Sequence, residues 1–296
     1  MAHDGSVPAG SGDSDDGGDV AVIDFRFRPI GARSWTPETT YHYLERMGLE
    51  PCPSFEAQSV DLMFTEMDEA GIALGVIGVP GPTGIRGLDP TGSAEIRQIV
   101  SEHPDRFVGF GSVEPSDVAA AVVAVGELAN HGMRGVTVDP STAQISRRFD
   151  DRALYPIYEE AQRLGLIVST TMSCLLGPYQ DDCRPEYVDH VATDFPGLTV
   201  SIQHGGWPYV REALGVAYKQ PNVVIVPGQY VHYGFPGSED YVTALTRQLP
   251  DQILFGSVYP NCGPLTDLRR IVAGWELPPQ IERKYLRDNA ARVLGL

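Results

Sequence analysis

Eight short apolar runs alternate with amphipathic stretches from Val20 to the C-terminus, and this alternation constrains the fold more than any other feature of the chain. The runs are residues 20–26, 72–79, 106–112, 134–139, 166–171, 198–203, 222–226 and 252–257. They are brief and rich in Val, Ile and Leu, as strands covered on both faces of a parallel sheet are. Between them the apolar period lengthens to that of a helix. Over Asp151–Leu164 it places Ala153, Leu154, Ile157, Tyr158, Ala161 and Leu164 on one face, with Gly165 as a stop. Similar helices are expected over Val60–Ala70, Ser93–His103, Asp117–Asn130, Pro185–Phe195, Trp207–Lys219 and Ser238–Leu249, and a helical C-terminus over Leu265–Val293. Eight strands, each followed by a helix, predict a single α/β domain over residues 20–296, a TIM (β/α)8 barrel. Residues 30–57, with Pro37, Pro51 and Pro53, read as an insertion after the first strand, placed to cover the mouth.

Ahead of this pattern, residues 1–19 hold five Asp and no Lys or Arg, and are expected to be a disordered acidic tail. The whole chain carries 39 acidic against 22 basic residues, a formal net charge of −17. That excess argues against phosphate-backbone binding, so neither nucleic acid nor an anionic membrane is an expected partner. No apolar run approaches the ~18–20 residues of a bilayer crossing. Cys52, Cys174, Cys183 and Cys262 form no CxxC pair, and the chain opens without a basic-then-apolar leader. Both features fit a cytoplasmic protein. A P-loop, a G-x-S-x-G elbow and an H-E-x-x-H helix are all missing.

In a TIM barrel the chemistry lies where the strands end at their C-termini. The candidates are then Arg26 and Arg28, Glu114, Asp139, Thr171 to Cys174, His204, Gln229 to His232, and Val258 to Cys262. Several of these lie in segments that carry a family resemblance: IDFRFRP (23–29), HPDRFVGFGSVEP (103–115), MRGVTVD (133–139), YPIYEEAQRLGLIVSTT (155–171), FPGLTVSIQHGG (195–206), ILFGSVYP (253–260) and NAARVLGL (289–296). Over residues 20–296 the chain resembles the amidohydrolase-related family that includes aminocarboxymuconate-semialdehyde decarboxylase. The resemblance implies a metal site built from a D-x-H-x-H strand, a His ending strand five, a His ending strand six and an Asp in a G-S-D-x-P turn after strand eight. This chain has Arg26 and Arg28 for the first two histidines, Thr171 for the third and Val258 for the Asp; only His204 remains. Guanidinium and isopropyl groups offer no lone pair, so no metal and no other cofactor is expected.

Arg26 and Arg28 are two residues apart and so share a strand face. Facing inward they would clamp a substrate carboxylate; the alternative is ion pairing to Asp24, Asp139 or Glu114. Asp24 has the same parity and would orient Arg26 or act as a base. His204 reads as a proton carrier with a near-neutral pKa, or as an inherited, hydrogen-bonded His. Tyr259 or the Tyr230/His232 pair would serve as a second acid, and Thr171, Trp207 and Tyr230 as substrate contacts. Cys174 and Cys262 are candidate nucleophiles or inert buried thiols. The implied function is a metal-independent enzyme, a possible homodimer, acting on a small carboxylated or enolic substrate by decarboxylation, hydrolysis or related lyase chemistry. The alternative is a noncatalytic barrel that binds a small anion or stabilises a partner.

Overall fold

The computed structural model describes residues 20–32, 37–78, 92–175 and 177–296, so the expected tail at 1–19 lies outside the described residues. Seven parallel strands form one sheet in sequential order: β1 Val22–Phe27, β2 Ile72–Gly78, β3 Phe107–Ser112, β4 Gly135–Thr137, β5 Ile167–Thr171, β6 Val200–Gln203 and β7 Val223–Val226. Each begins within two residues of its expected start, and helices lie between successive strands, as a TIM barrel requires.

The eighth strand is a correction. Residues 252–259 close the barrel, yet only Ile253 and Tyr259 form bridges, to Ile225 and Phe27. The reason lies in where the backbone groups go. The N–H of Phe255 donates to Tyr285 O, and that of Ser257 to the Asp24 carboxylate. A regular ladder is thereby interrupted, while the bonds Phe25 N to Phe255 O, Val258 N to Arg26 O and Arg28 N to Tyr259 O still seal the segment against β1. The single C-terminal helix is also broken into Leu265–Ala273, Pro279–Arg283, a π-turn at Lys284–Asp288 and Asn289–Leu294. The first of these ends at Gly274, where the amides of Trp275 and Glu276 bond three residues back and Glu276 enters the left-handed region at φ 51°; Pro278 and Pro279 then open the next helix, where a missing amide costs nothing.

Side chains divide cleanly between two cores. Ile23, Phe25, Val76, Phe110, Ile167, Val224, Val226 and Leu254 pack inside the barrel, which Ala290 and Leu294 plug from below. Their strand neighbours Ile77, Val136, Val168, Ile202 and Ile225 pack outward against the helices. Within the insertion, helix α1 spans Pro37–Met47 and helix α2 Pro53–Ala57; α3, Val60–Glu69, follows. The Cys52 thiol, at the start of α2, donates to the carbonyl oxygens of Cys262 and Gly263, tying the insertion to the loop that follows the closing segment.

Candidate functional site

On β1, Ile23 and Phe25 face into the barrel, whereas Phe27 stacks outside on Tyr259, with centroids 4.5 Å apart. Strict alternation would put all three on one face. The pairing register explains the change: Asp24 pairs with Gly75 and Phe27 with Ile77, so β1 advances three residues while β2 advances two. This is a β-bulge, and it re-aims the side chains that follow it. Arg26 and Arg28 therefore turn inward, above Phe25, and share a lining with Thr137, Ser169 and Gln203.

The bulge corrects the expected parity of Asp24. This residue precedes it, points away from the interior and is fully buried. Its Oδ1 accepts the N–H groups of Arg26 at 3.0 Å and Ser257 at 2.9 Å, so it fastens the bulge to the closing segment instead of facing a ligand. Burial pushes its carboxyl up to about 7, against the pull of those hydrogen bonds and of Arg26.

The two guanidiniums dominate the electrostatics. Burial lowers Arg26 to about 10, with the Asp139 carboxylate the largest opposing influence. Arg28 is lowered by burial and then by the like charge of Arg26. Both remain cationic at neutral pH. His204 ends β6 and is buried; desolvation, Arg26 and Arg28 all hold its imidazole well below its ordinary value. The expectation of a near-neutral pKa is thus overturned. In the unliganded protein His204 is a neutral imidazole, because a third positive charge beside two buried ones is strongly disfavoured.

Around these groups the mouth is built from several loops. Thr171 donates through its N–H at 2.6 Å and its hydroxyl at 3.0 Å to the two carboxylate oxygens of Asp139, and so presents that charge toward Arg26. Tyr230 meets the His204 ring edge-on at 5.7 Å, stacks on Trp207 at 4.9 Å and shares a hydrogen bond with Ser173. From α1, Tyr43 feels the charges of Arg28, Arg46 and Arg26, which places part of the insertion over the mouth. Ser173 lies within the expected stretch Thr171 to Cys174, whereas Tyr43, Arg46 and Gln203 escape the sequence reading. Gln203 could have been found by alternation from the inward Ser201, but nothing local marks Tyr43 or Arg46.

Tyr259 and His232 are corrections. The Tyr259 phenol lies on the helix side, where it donates to the Ser54 hydroxyl, which in turn donates to Glu66. Its ring follows Phe27 outward. His232 sits in the short helix Gln229–His232, with Nε2 3.0 Å from the Tyr285 hydroxyl and its ring stacked on Trp275. Burial holds it down to about 3, so it is no acid at neutral pH. Tyr259→Phe is accordingly expected to cost about 1 kcal/mol in urea unfolding, the worth of one hydrogen bond, and to leave carboxylate-induced thermal shifts unchanged. Cys174 and Cys262 are both shifted up by burial and stay thiols, which argues against a nucleophilic role.

The amidohydrolase family model matches residues 66–296, more than half of the chain. The chain belongs to the amidohydrolase family. It is 31% identical over 236 residues to the 2-amino-3-carboxymuconate-6-semialdehyde decarboxylase of Dictyostelium discoideum, a match covering 68% of this chain and 64% of that relative. The chain thus spans less than two thirds of the length of this curated relative. An uncharacterized TIM-barrel protein from Bordetella bronchiseptica superposes with a TM-score of 0.84 at 34% identity, covering 93% of this chain and 98% of that one. A 2,6-dihydroxybenzoate decarboxylase from Rhizobium shares the fold, with a TM-score of 0.67 at 15% identity and coverage of 93% and 98%.

The residues of this amidohydrolase do not fit the divalent metal that the family resemblance implies. At the ligand positions stand Arg26, Arg28, Thr171 and Val258, and only His204 offers a strong donor. Among the described residues no three His, Cys, Asp or Glu side chains converge as a metal site would need. At two of these positions the backbone is unusual: His204 and Val258 have φ of 61° and 65°, the left-handed region that a β-branched residue such as Val258 seldom enters. Val258 is held there by its N–H to Arg26 O and by its carbonyl, which accepts from Asn261 N.

Proposed function

We propose that this amidohydrolase is a metal-independent enzyme that decarboxylates a small unsaturated carboxylic acid. The observation that carries the reading is the inward pair Arg26 and Arg28, fixed cations at positions where the family resemblance implies metal ligands, beside the neutral imidazole of His204. The curated relative, a decarboxylase by name, favours this chemistry over hydrolysis.

Guanidiniums on the departing carboxylate would stabilise the ground state and slow its loss. The pair therefore holds the oxygen, enolate or second carboxylate, on which charge grows as the C–C bond breaks. That bound anion offsets the field at His204 and brings imidazolium within reach. The bond to carbon dioxide breaks, its electron pair stays on the substrate, and the imidazolium returns a proton to that carbon. Solvent then reprotonates the imidazole. Trp207 and Tyr230 supply a flat wall for the unsaturated portion. A homodimer in the cytoplasm, without nucleic-acid or membrane partners, completes the reading. The net charge of −17 argues against polyanionic partners such as nucleic acid or an anionic membrane surface; among the described residues no helix is long and apolar enough to cross a membrane.

The test is carbon dioxide release by the chelator-treated, full-length protein from a panel of small unsaturated mono- and dicarboxylic acids. Turnover is expected, unchanged by added zinc or manganese. Activity that depends on either metal overturns the metal-independent mechanism. Saturable binding without turnover across the panel overturns catalysis in favour of the anion-binding barrel.

A further inference from the structure

Directly beneath the guanidiniums, inside the barrel, lies a cavity of about 20 Å³. Phe25 and Phe110 meet edge to face at 5.7 Å on its floor, and Thr137, Ser169 and Gln203 line its wall. Such a volume holds one water and nothing larger. Two polar atoms of its lining residues, Arg26 Nε and Gln203 Oε1, are buried without a hydrogen-bond partner among the described residues. One is a donor and the other an acceptor. Either left unmet carries its full desolvation penalty. Gln203 is 2% exposed and Ser201 not at all, so bulk solvent does not reach this wall.

The pairing of one donor with one acceptor selects water. A water accepts from the Nε–H and donates to Oε1, and its second proton suits a hydroxyl of the wall. An anion would meet the lone pairs of Oε1, and a cation would meet the Nε–H. The amide is already set for this bridge: Gln203 Nε2 donates to Ser201 Oγ at 2.9 Å, which leaves Oε1 to accept elsewhere. Arg26 differs at its two edges. The residue as a whole is only partly buried, while its Nε is sealed. The guanidinium thus turns its rear edge to the cavity and its two Nη groups toward the mouth. A planar fork grips a carboxylate bidentately only when its plane is held, and a hydrogen bond at Nε holds it.

We propose that Gln203 is a positioning residue: through one buried water it holds Arg26 Nε, and so fixes the plane in which the two Nη groups meet an anionic ligand at the mouth. This role rests on the anion binding proposed for Arg26 and is independent of the reaction that follows. A high-resolution crystal map of the full chain should show one water within hydrogen-bond distance of both Arg26 Nε and Gln203 Oε1. In nuclear magnetic resonance spectra the Arg26 Nε–H should exchange slowly with solvent. Gln203→Met keeps the length of the side chain and removes its acceptor. It should lose the water, speed Nε–H exchange at least about 10-fold, and weaken maleate binding, read by thermal-shift titration, about 10-fold. Gln203→Glu retains an acceptor oxygen and should keep both the water and the slow exchange. Should Gln203→Met fail to fold, the wild-type map and the Gln203→Glu exchange rate decide. Exchange or maleate binding in Gln203→Met equal to that of wild type overturns the inference. Absence of the bridging water while maleate still binds sinks the bridge alone; a bridging water in a wild-type protein that does not bind maleate sinks the anion clamp.

Discussion

Replacing Arg26 and Arg28 together by alanine should remove carboxylate-induced thermal stabilisation and lower turnover by at least about 10²–10³-fold, the usual effect of losing a donor to a developing oxyanion. The same change should leave the melting temperature of the unliganded protein unchanged or higher. Burial disfavours each guanidinium, and Arg28 also meets the like charge of Arg26, which together oppose the favourable pull of Asp139. Thermal-shift titration with small dicarboxylates and a carbon dioxide assay give the two readouts. Arg28→Lys separates charge from shape, because lysine keeps the cation without the planar fork. It should retain part of the binding and little of the rate. A double alanine variant that binds and turns over like wild type removes the basis for the proposed mechanism.

The second large effect concerns Asp24. Its carboxyl is raised from 3.8 to about 7 in the folded chain, so between those values the native state holds a proton that the unfolded chain has released. Stability contributed by the neutral form is complete below pH 4, declines as pH rises, and is lost above about 7. A three-unit shift corresponds to about 4 kcal/mol across that window. Asp24→Asn preserves an oxygen acceptor for the Arg26 and Ser257 N–H groups and cannot ionise. Urea unfolding from pH 4 to 8 should therefore show wild type losing stability relative to Asp24→Asn, with most of the divergence by pH 7. The depressed imidazoles of His204 and His232 act in the opposite direction, being unfavourable to the fold as pH falls, but they are common to both proteins and cancel in the difference. Asp24→Ala should be worse than either at every pH, because two buried N–H groups lose their acceptor. Parallel wild-type and Asn curves would exclude the raised carboxyl.

Much of the architecture was legible because buried parallel strands and their helices leave strong periods in a sequence. The runs ending at Thr171 and Gln203 became β5 and β6 with little change. The closing segment 252–257 has the same apolar signature, yet two of its amides are taken by Tyr285 O and the Asp24 side chain, partners that no local pattern reveals. The site was legible to the same extent. Spacing brought Arg26 and Arg28 onto one face, and the inward turn of both follows from the bulge. That bulge also separates Asp24 from them, a fact that parity alone cannot see. Tyr259 and His232 stand at strand ends by numbering, but Phe27 and Trp275 draw their rings into the outer layer. Tyr43 reaches the mouth from an insertion, where position along the chain says nothing about depth.

The one-residue irregularity on β1 has an evolutionary corollary. Below it the strand contributes hydrocarbon to the barrel interior; above it the same strand contributes charge, and the extra residue keeps the two from competing for one row of sites. Point substitutions can retune either half independently, so the chemistry at this mouth is free to diverge while the packing beneath is conserved. A deletion at that spot would restore plain alternation, with Phe27 still outward and Arg28 still inward, but it would sacrifice one inward side chain, Phe25 or Arg26, so that the floor or the charge above it would be lost in one step.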